Sequence, residues 1–389
     1  MMQSLLILGR QPALGLAELE SRFGADALTL VGQQAAILDK DPQEVPLQRL
    51  GGSIKLAKLL TELPTTNWNQ LISLVEKALP EHLGYLPEGK LKFGLSAYDL
   101  GVDAGMVSRS TLRIKKVVKS TGRSVRVVPN NEPALNSAQV LYNQLTGPLG
   151  MELLLVRSGD KTLLAQTVTE QVIDAYAARD QGRPKRDSKV GMLPPKLAQI
   201  IVNLSNITKG TLLDPFCGTG VILQESHLMG LSVYGTDLEQ RMIDYTNANL
   251  QWLEEKTGSH VQGTTEKADA TNHQWKEASF DAIACETYLG RPFSAQPDPK
   301  VLQEVMQDVN HIHKKFLQNV ALQTASGFRM CIAVPAWKTP SGFKHLKTLD
   351  VLEELGYNRI EFVHARSEDL IYHREGQVVA RELVVLQKK

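Results

Sequence analysis

The sequence predicts an α/β protein whose C-terminal half, residues 191–389, is a doubly wound domain, and three observations carry that prediction. Strand-like apolar runs alternate there with helix-like stretches, the order that builds a mostly parallel sheet covered on both faces. A glycine-rich turn, Asp214-Pro215-Phe216-Cys217-Gly218-Thr219-Gly220, follows the first such run, Leu212-Leu213. Acids then recur where successive strands end, at Asp214, Asp237 and Asp269.

Composition bounds the rest. A chain of 389 residues with 42% hydrophobic content exceeds one ordinary core, which implies two or three domains. No stretch approaches the roughly 20 apolar residues that cross a bilayer, and the N-terminal segment lacks the pattern of a secretory signal. These features lead us to expect a cytoplasmic protein with no membrane association. Three widely spaced cysteines, Cys217, Cys285 and Cys331, fit neither a disulfide framework nor paired zinc ligands, so reduced thiols and no metal site are expected. The net charge of +1 announces no polyanionic partner by itself. One cluster stands out: Arg109, Arg113, Lys115, Lys116, Lys119, Arg123 and Arg126 run without an intervening Asp or Glu.

The elements follow in order. Residues 1–64 read as strand Ser4–Gly9, helix Leu14–Phe23, strands Ala27–Val31 and Ala35–Leu38, helix Val45–Leu50 and strand Lys55–Leu63, a ferredoxin-like β-α-β-β-α-β order. Residues 65–168 read as a second α/β unit. It has helix Asn67–Leu83, strand Leu91–Ala97, a basic helix with Leu112 and Val117 on its apolar side, strand Ser124–Val128, helix Ser137–Leu145, and strands Leu153–Arg157 and Thr162–Thr167. Residues 169–190 are polar and rich in breakers, which suits a linker. In the last domain, helices at Val221–Met229, Gln240–Glu255 and Val301–Gln323 separate strands at Ser232–Thr236, Asp281–Cys285, Met330–Val334, Arg359–His364 and Glu382–Leu386.

Ligands of open α/β sheets sit beyond the carboxyl ends of the strands, beside the switch point. Gly218 and Gly220 let backbone approach such a ligand, and the following helix offers free N–H groups to its carboxylate. Asp214 suits an ammonium, Asp237 lies about 20 residues on where ribose hydroxyls are held, and Asp269 suits an adenine amine. Together these match S-adenosylmethionine, and the turn lacks the Gly-Lys-Ser/Thr of a P-loop.

Several further motifs resemble the THUMP-domain RNA methyltransferases that form N2-methylguanosine at position ten of tRNA. They are Arg179-Asp180, Arg183-Pro184 and Arg186-Asp187, then Gly191-Met192-Leu193-Pro194-Pro195-Lys196-Leu197-Ala198-Gln199, and Tyr372-His373-Arg374 with Gln377 and Arg381-Glu382-Leu383. The resemblance implies a ferredoxin-like domain (1–64), a THUMP domain (65–168) and a Rossmann-fold methyltransferase domain (191–389). It implies a cofactor set of Asp214, Phe216, Gly218, Thr219, Gly220, Asp237, Leu238, Asp269, Ala270 and Glu286. It assigns Arg109, Arg113, Lys116 and Lys119 to tRNA phosphates, where a solvated helix face is the competing reading. One departure is plain: the family's Asp-Pro-Pro-Tyr-Gly motif is here Glu286-Thr287-Tyr288-Leu289-Gly290. The catalytic assignment is therefore Glu286 orienting the amine and receiving its proton, with Tyr288 packing on the base. The alternatives are methylation of another base in rRNA or DNA, and a silent cofactor- and RNA-binding module. A monomer is expected, with a helper subunit left open.

Overall fold

The computed structural model describes residues 2–187, 192–275, 280–293 and 295–389. Residues 188–190 of the expected linker, and Gly191, lie outside them. The chain divides into two compact units, one of residues 1–12, 26–48 and 52–175, the other of residues 13–25, 49–51 and 176–389.

The first unit carries strands β1 (Ser4–Leu8), β2 (Leu28–Val31), β3 (Ala35–Leu38), β4 (Ser53–Leu63), β5 (Leu91–Tyr98), β6 (Val125–Val127), β7 (Gly150–Ser158) and β8 (Lys161–Glu170). They form one eight-stranded sheet in the order β2-β3-β1-β4-β8-β7-β5-β6. The first four pair antiparallel in the 2-3-1-4 order of a split βαβ unit. Antiparallel pairing of β4 with β8 makes the strands on both sides of residue 64 a single sheet. The expected helix over Val45–Leu50 is replaced by two 3-10 turns, Pro42–Glu44 and Leu47–Arg49. Pro46 explains this, because it removes an N–H and holds Val45 in an extended conformation.

Helix α1 (Pro12–Phe23) follows β1 in sequence, yet residues 13–25 cluster with the second unit. Helices α2 (Trp68–Leu83), α3 (Ala104–Ser120) and α4 (Ser137–Tyr142) belong to the first unit. Asn67, Asp103 and Asn136 cap their N-termini with side-chain oxygens, which explains where each begins. Val107, Ile114 and Val118 form the buried stripe of α3. Leu112, expected on that apolar side, is instead 51% exposed, because it falls off the 3.6-residue stripe and lies among the basic residues.

Helix α5 (Ile173–Gln181) occupies the start of the expected linker. It is ordered by Tyr176, whose hydroxyl donates to Gln199 Oε1 at 2.7 Å, and by Arg179, which meets the buried Glu225 at 2.7 Å. Beyond it come α6 (Pro195–Leu204), β9 (Thr211–Asp214), α7 (Val221–Leu228), β10 (Ser232–Asp237), α8 (Gln240–Thr257), β11 (Gly263–Lys267), β12 (Ala282–Glu286) and α9 (Pro299–Gln323). The remaining strands are β13 (Arg329–Thr339), β14 (Gly342–Lys344), β15 (Tyr357–Arg359), β16 (Ile371–Tyr372) and β17 (Val379–Lys388).

The second sheet runs β11-β10-β9-β12-β13-β17-β15. Its first five strands are parallel, and β17 is antiparallel to β13 and β15. The order reverses between β9 and β12, which is the switch point of a doubly wound sheet. The strand expected over Arg359–His364 stops at Arg359, because the N–H groups of Val363 and His364 donate to the carboxylate of Glu20 rather than to a neighbouring strand.

Candidate cofactor and acceptor site

Three acids mark the carboxyl ends of adjoining strands. Asp214 ends β9, Asp237 ends β10 and Glu286 ends β12. Asp269 stands two residues beyond β11, whose extension is tied to β10 where the Ala268 N–H donates to the Asp237 carbonyl at 2.9 Å.

The turn after β9 is held from two sides, by β10 and by α8. The Gly218 N–H donates to Asp237 Oδ2 at 3.0 Å, and the Cys217 N–H donates to the Thr236 carbonyl at 2.9 Å. From α8, Thr246 donates to the Gly218 carbonyl at 2.9 Å and Asn249 to the Thr219 carbonyl at 2.8 Å. Gly218 and Gly220 have φ of 53° and 80°, the left-handed region that glycine enters without cost, and a Cβ on Gly220 would lie 2.9 Å from Thr246. Gly220 also caps α7, leaving that helix's first N–H groups open at the turn.

Asp214 is 2% exposed and accepts from the Phe216 N–H at 3.1 Å. Burial pushes its carboxyl well above the usual carboxylate range; the Phe216 N–H opposes this, and the neighbouring Asp237 and Glu286 charges reinforce it. Burial likewise raises Asp237, against the N–H groups of Glu239 and Gly218. Acids held close in low dielectric attract a cation, so the donor set fits the ammonium of an amino-acid moiety.

The other expected cofactor residues are placed variously. Thr219 is buried, and Phe216 packs edge-on against Phe316 with centroids 5.0 Å apart. Leu238 is 62% exposed. Asp269 Oδ1 accepts from both the N–H and the hydroxyl of Thr271, while buried Ala270 gives its carbonyl to Asn319.

Beyond β12, Glu286 forms an ion pair with Arg381 of β17, their side chains 15% and 7% exposed. The sequence marks Arg381 only as part of a motif, and no local signal pairs it with an acid 95 residues earlier. Thr287 is also held. Its N–H donates to the Ala333 carbonyl at 3.0 Å, and its hydroxyl lies 2.5 Å from Nε2 of the buried His313. His313 Nδ1 is 2.7 Å from the Val309 carbonyl, which can only accept, so Nδ1 carries the proton and Nε2 accepts from Thr287. Burial lowers His313 to about 4, which keeps the ring neutral. Gly290, with φ of 85°, approaches α9 so closely that a Cβ would lie 2.8 Å from Val305. Tyr288, between these anchors, is 43% exposed.

On α3, Arg109, Lys116 and Lys119 are exposed. Arg113 is instead engaged by Glu76 of α2, through Nε at 3.0 Å and a terminal nitrogen at 2.8 Å. Among the described residues no cluster of His, Cys, Asp or Glu could hold a metal ion, and no helix is long and apolar enough to cross a membrane.

Residues 183–348 match the UPF0020 family model, described as an RMKL-like methyltransferase domain. Two curated relatives carry the name tRNA (guanine(10)-N2)-dimethyltransferase. The protein of Methanothermobacter thermautotrophicus is 33% identical over 150 residues, 37% of this chain and 39% of that protein. The protein of Pyrococcus abyssi is 31% identical over 172 residues, 43% of this chain and 44% of that protein. The chain thus spans less than half the length of the curated relatives it matches. The crystal structure of TrmN from Thermus thermophilus has a similar fold over 100% of both chains, with a TM-score of 0.56 at 18% identity. A methyltransferase-like protein, SMU.472, solved with S-adenosylhomocysteine, gives 0.53 at 12% identity over 100% of this chain and 99% of that one. The second unit therefore contains a methyltransferase domain.

Proposed function

We propose that this chain transfers a methyl group from S-adenosylmethionine to the exocyclic N2 amine of a guanosine in tRNA, with position ten the favoured site. The observation that carries the reading is the place of Glu286, at the end of β12 and one strand from the glycine turn of β9, with the exposed Tyr288 two residues beyond. The names of the curated relatives support the acceptor.

In this reading Asp214 takes the cofactor's ammonium, the α7 N-terminus its carboxylate, Asp237 the ribose hydroxyls and Asp269 the adenine amine. Phe216, Gly218, Thr219, Gly220, Leu238 and Ala270 complete the walls. The cofactor supplies a methyl group made electrophilic by its sulfonium. Conjugation with the purine ring makes the guanine amine a poor nucleophile, so orientation supplies much of the rate. Glu286 Oε1 is on Arg381, which leaves Oε2 to accept an amine N–H and point the nitrogen at the methyl carbon. Glu286 would receive the amine proton released on methylation, directly or through water to solvent. Tyr288 packs on the base.

Residues 65–168 act in this reading as a THUMP domain that grips tRNA, with Arg109, Lys116 and Lys119 on phosphates, while Arg113 mainly braces α3 on α2. The chain works as a cytoplasmic monomer. The test is methyl transfer to tRNA from labelled cofactor. Glu286→Gln and Tyr288→Ala should each lower it by more than about tenfold with cofactor affinity kept. Full activity in both variants would sink the assignment.

A further inference from the structure

Arg381 is a buried arginine with most of its hydrogen-bonding capacity unspent. A guanidinium carries five N–H donors in a planar fork. Here Nε is on Glu286, and among the described residues the two terminal nitrogens meet no acceptor within hydrogen-bond distance. They are not among the buried atoms left without a partner, so they keep contact with solvent. A planar set of charged donors on a side chain only 7% exposed, held beside a carboxylate and still reached by solvent, is placed to meet an incoming acceptor.

Glu286 and Arg381 therefore present an acceptor and a donor side by side. The Watson–Crick edge of guanine presents the complement: donors at N1 and the 2-amine, and an acceptor at O6. Adenine and cytosine place an amine where guanine has O6 or lack a matching donor pair, so neither satisfies both side chains. Resting on the activity proposed above, we infer that Arg381 is a specificity-determining residue that donates to guanine O6 while Glu286 takes the amine.

The test uses the full chain with two tRNA substrates, one with guanine at the methylated position and one with 2-aminopurine, which keeps the 2-amine and lacks both O6 and the N1 proton. Arg381→Lys retains a positive charge opposite Glu286 without the planar fork, and Arg381→Gln removes the charge. Wild type should favour guanine in kcat/KM by more than about tenfold, and both variants should lower that preference by at least about threefold, leaving only what the N1 proton contributes. A preference undiminished in both variants overturns the assignment. Affinities for the two tRNAs, read from 2-aminopurine fluorescence and competition, are measured alongside transfer. A wild-type chain that transfers nothing defeats the activity proposal, while the affinity ratio still decides the guanine contact.

Discussion

The two units each bury an ion pair, and they treat it in opposite ways. In the first, Lys55 and Glu152 are both 0% exposed and 2.5 Å apart. Lys55 also donates to the Leu135 carbonyl at 2.7 Å, while Ser96 and Thr167 each donate to Glu152 at 2.6 Å. Every strand involved, β4, β5, β7 and β8, is tied into one network. In the second, Glu286 and Arg381 hold each other and little else, at the open end of a parallel sheet. Full burial and partners from four strands mark the first pair as architecture; unspent donors within reach of solvent mark the second as a place for a ligand.

Variants can break that contrast. Lys55→Met should have the largest effect, because it strands a buried carboxylate: a loss of about 3–5 kcal/mol in denaturant unfolding. Transfer per folded molecule should hold. If Lys55→Met instead left stability intact and abolished transfer, the division between architecture and site would be wrong. Thr287→Val comes next, removing the donor to His313 Nε2, for about 1–3 kcal/mol and a fall in kcat larger than any change in cofactor affinity. Thr287→Ser should restore most of it. A Thr287→Val enzyme with wild-type kcat would show that the turn after Glu286 needs no such anchor.

The last effects are pH slopes of opposite sign. Glu170, buried with neither carboxyl oxygen partnered, is raised to about 8 by burial, with the Glu152 charge adding and Lys55 opposing. Its folded pKa lies above the ordinary 4.5, so its stabilising contribution is full below pH 4.5 and is lost as pH rises through about 8. His313 is lowered to about 4, so its contribution is full above pH 6.5 and is lost as pH falls through about 4. Thermal unfolding of Glu170→Gln and His313→Gln across pH 4–9 should each flatten one of these windows; parallel curves for wild type and both variants would refute it.

What could be read from the chain follows from the range of the interactions. Asp214, Asp237 and Glu286 were legible because each closes a short apolar run, and strand ends are local features. The glycine turn was legible because two left-handed positions within three residues require that residue type. The link from Arg381 to Glu286 joins strands far apart in sequence, and the hold of His313 on Thr287 runs from a helix to a loop 26 residues away, so no periodicity announces either. The helix over Val45–Leu50 failed for a local reason, Pro46, that apolar spacing alone overlooks. Leu112 was misplaced because the basic residues around it, rather than the spacing of Val107, Ile114 and Val118, drew the reading.

Helix α1 has a consequence for how this chain can be taken apart. Ser21 donates to the Asn203 carbonyl and accepts from Arg329, Glu18 takes N–H groups from Gly51 and Asn203, and Glu20 takes those of Val363 and His364. The methyltransferase unit is thus completed by a segment synthesised before almost all of its neighbour. A single cut near residue 176 therefore separates residues 176–389 from Glu18, Glu20 and Ser21, the side chains that bond to Asn203, Arg329, Val363 and His364.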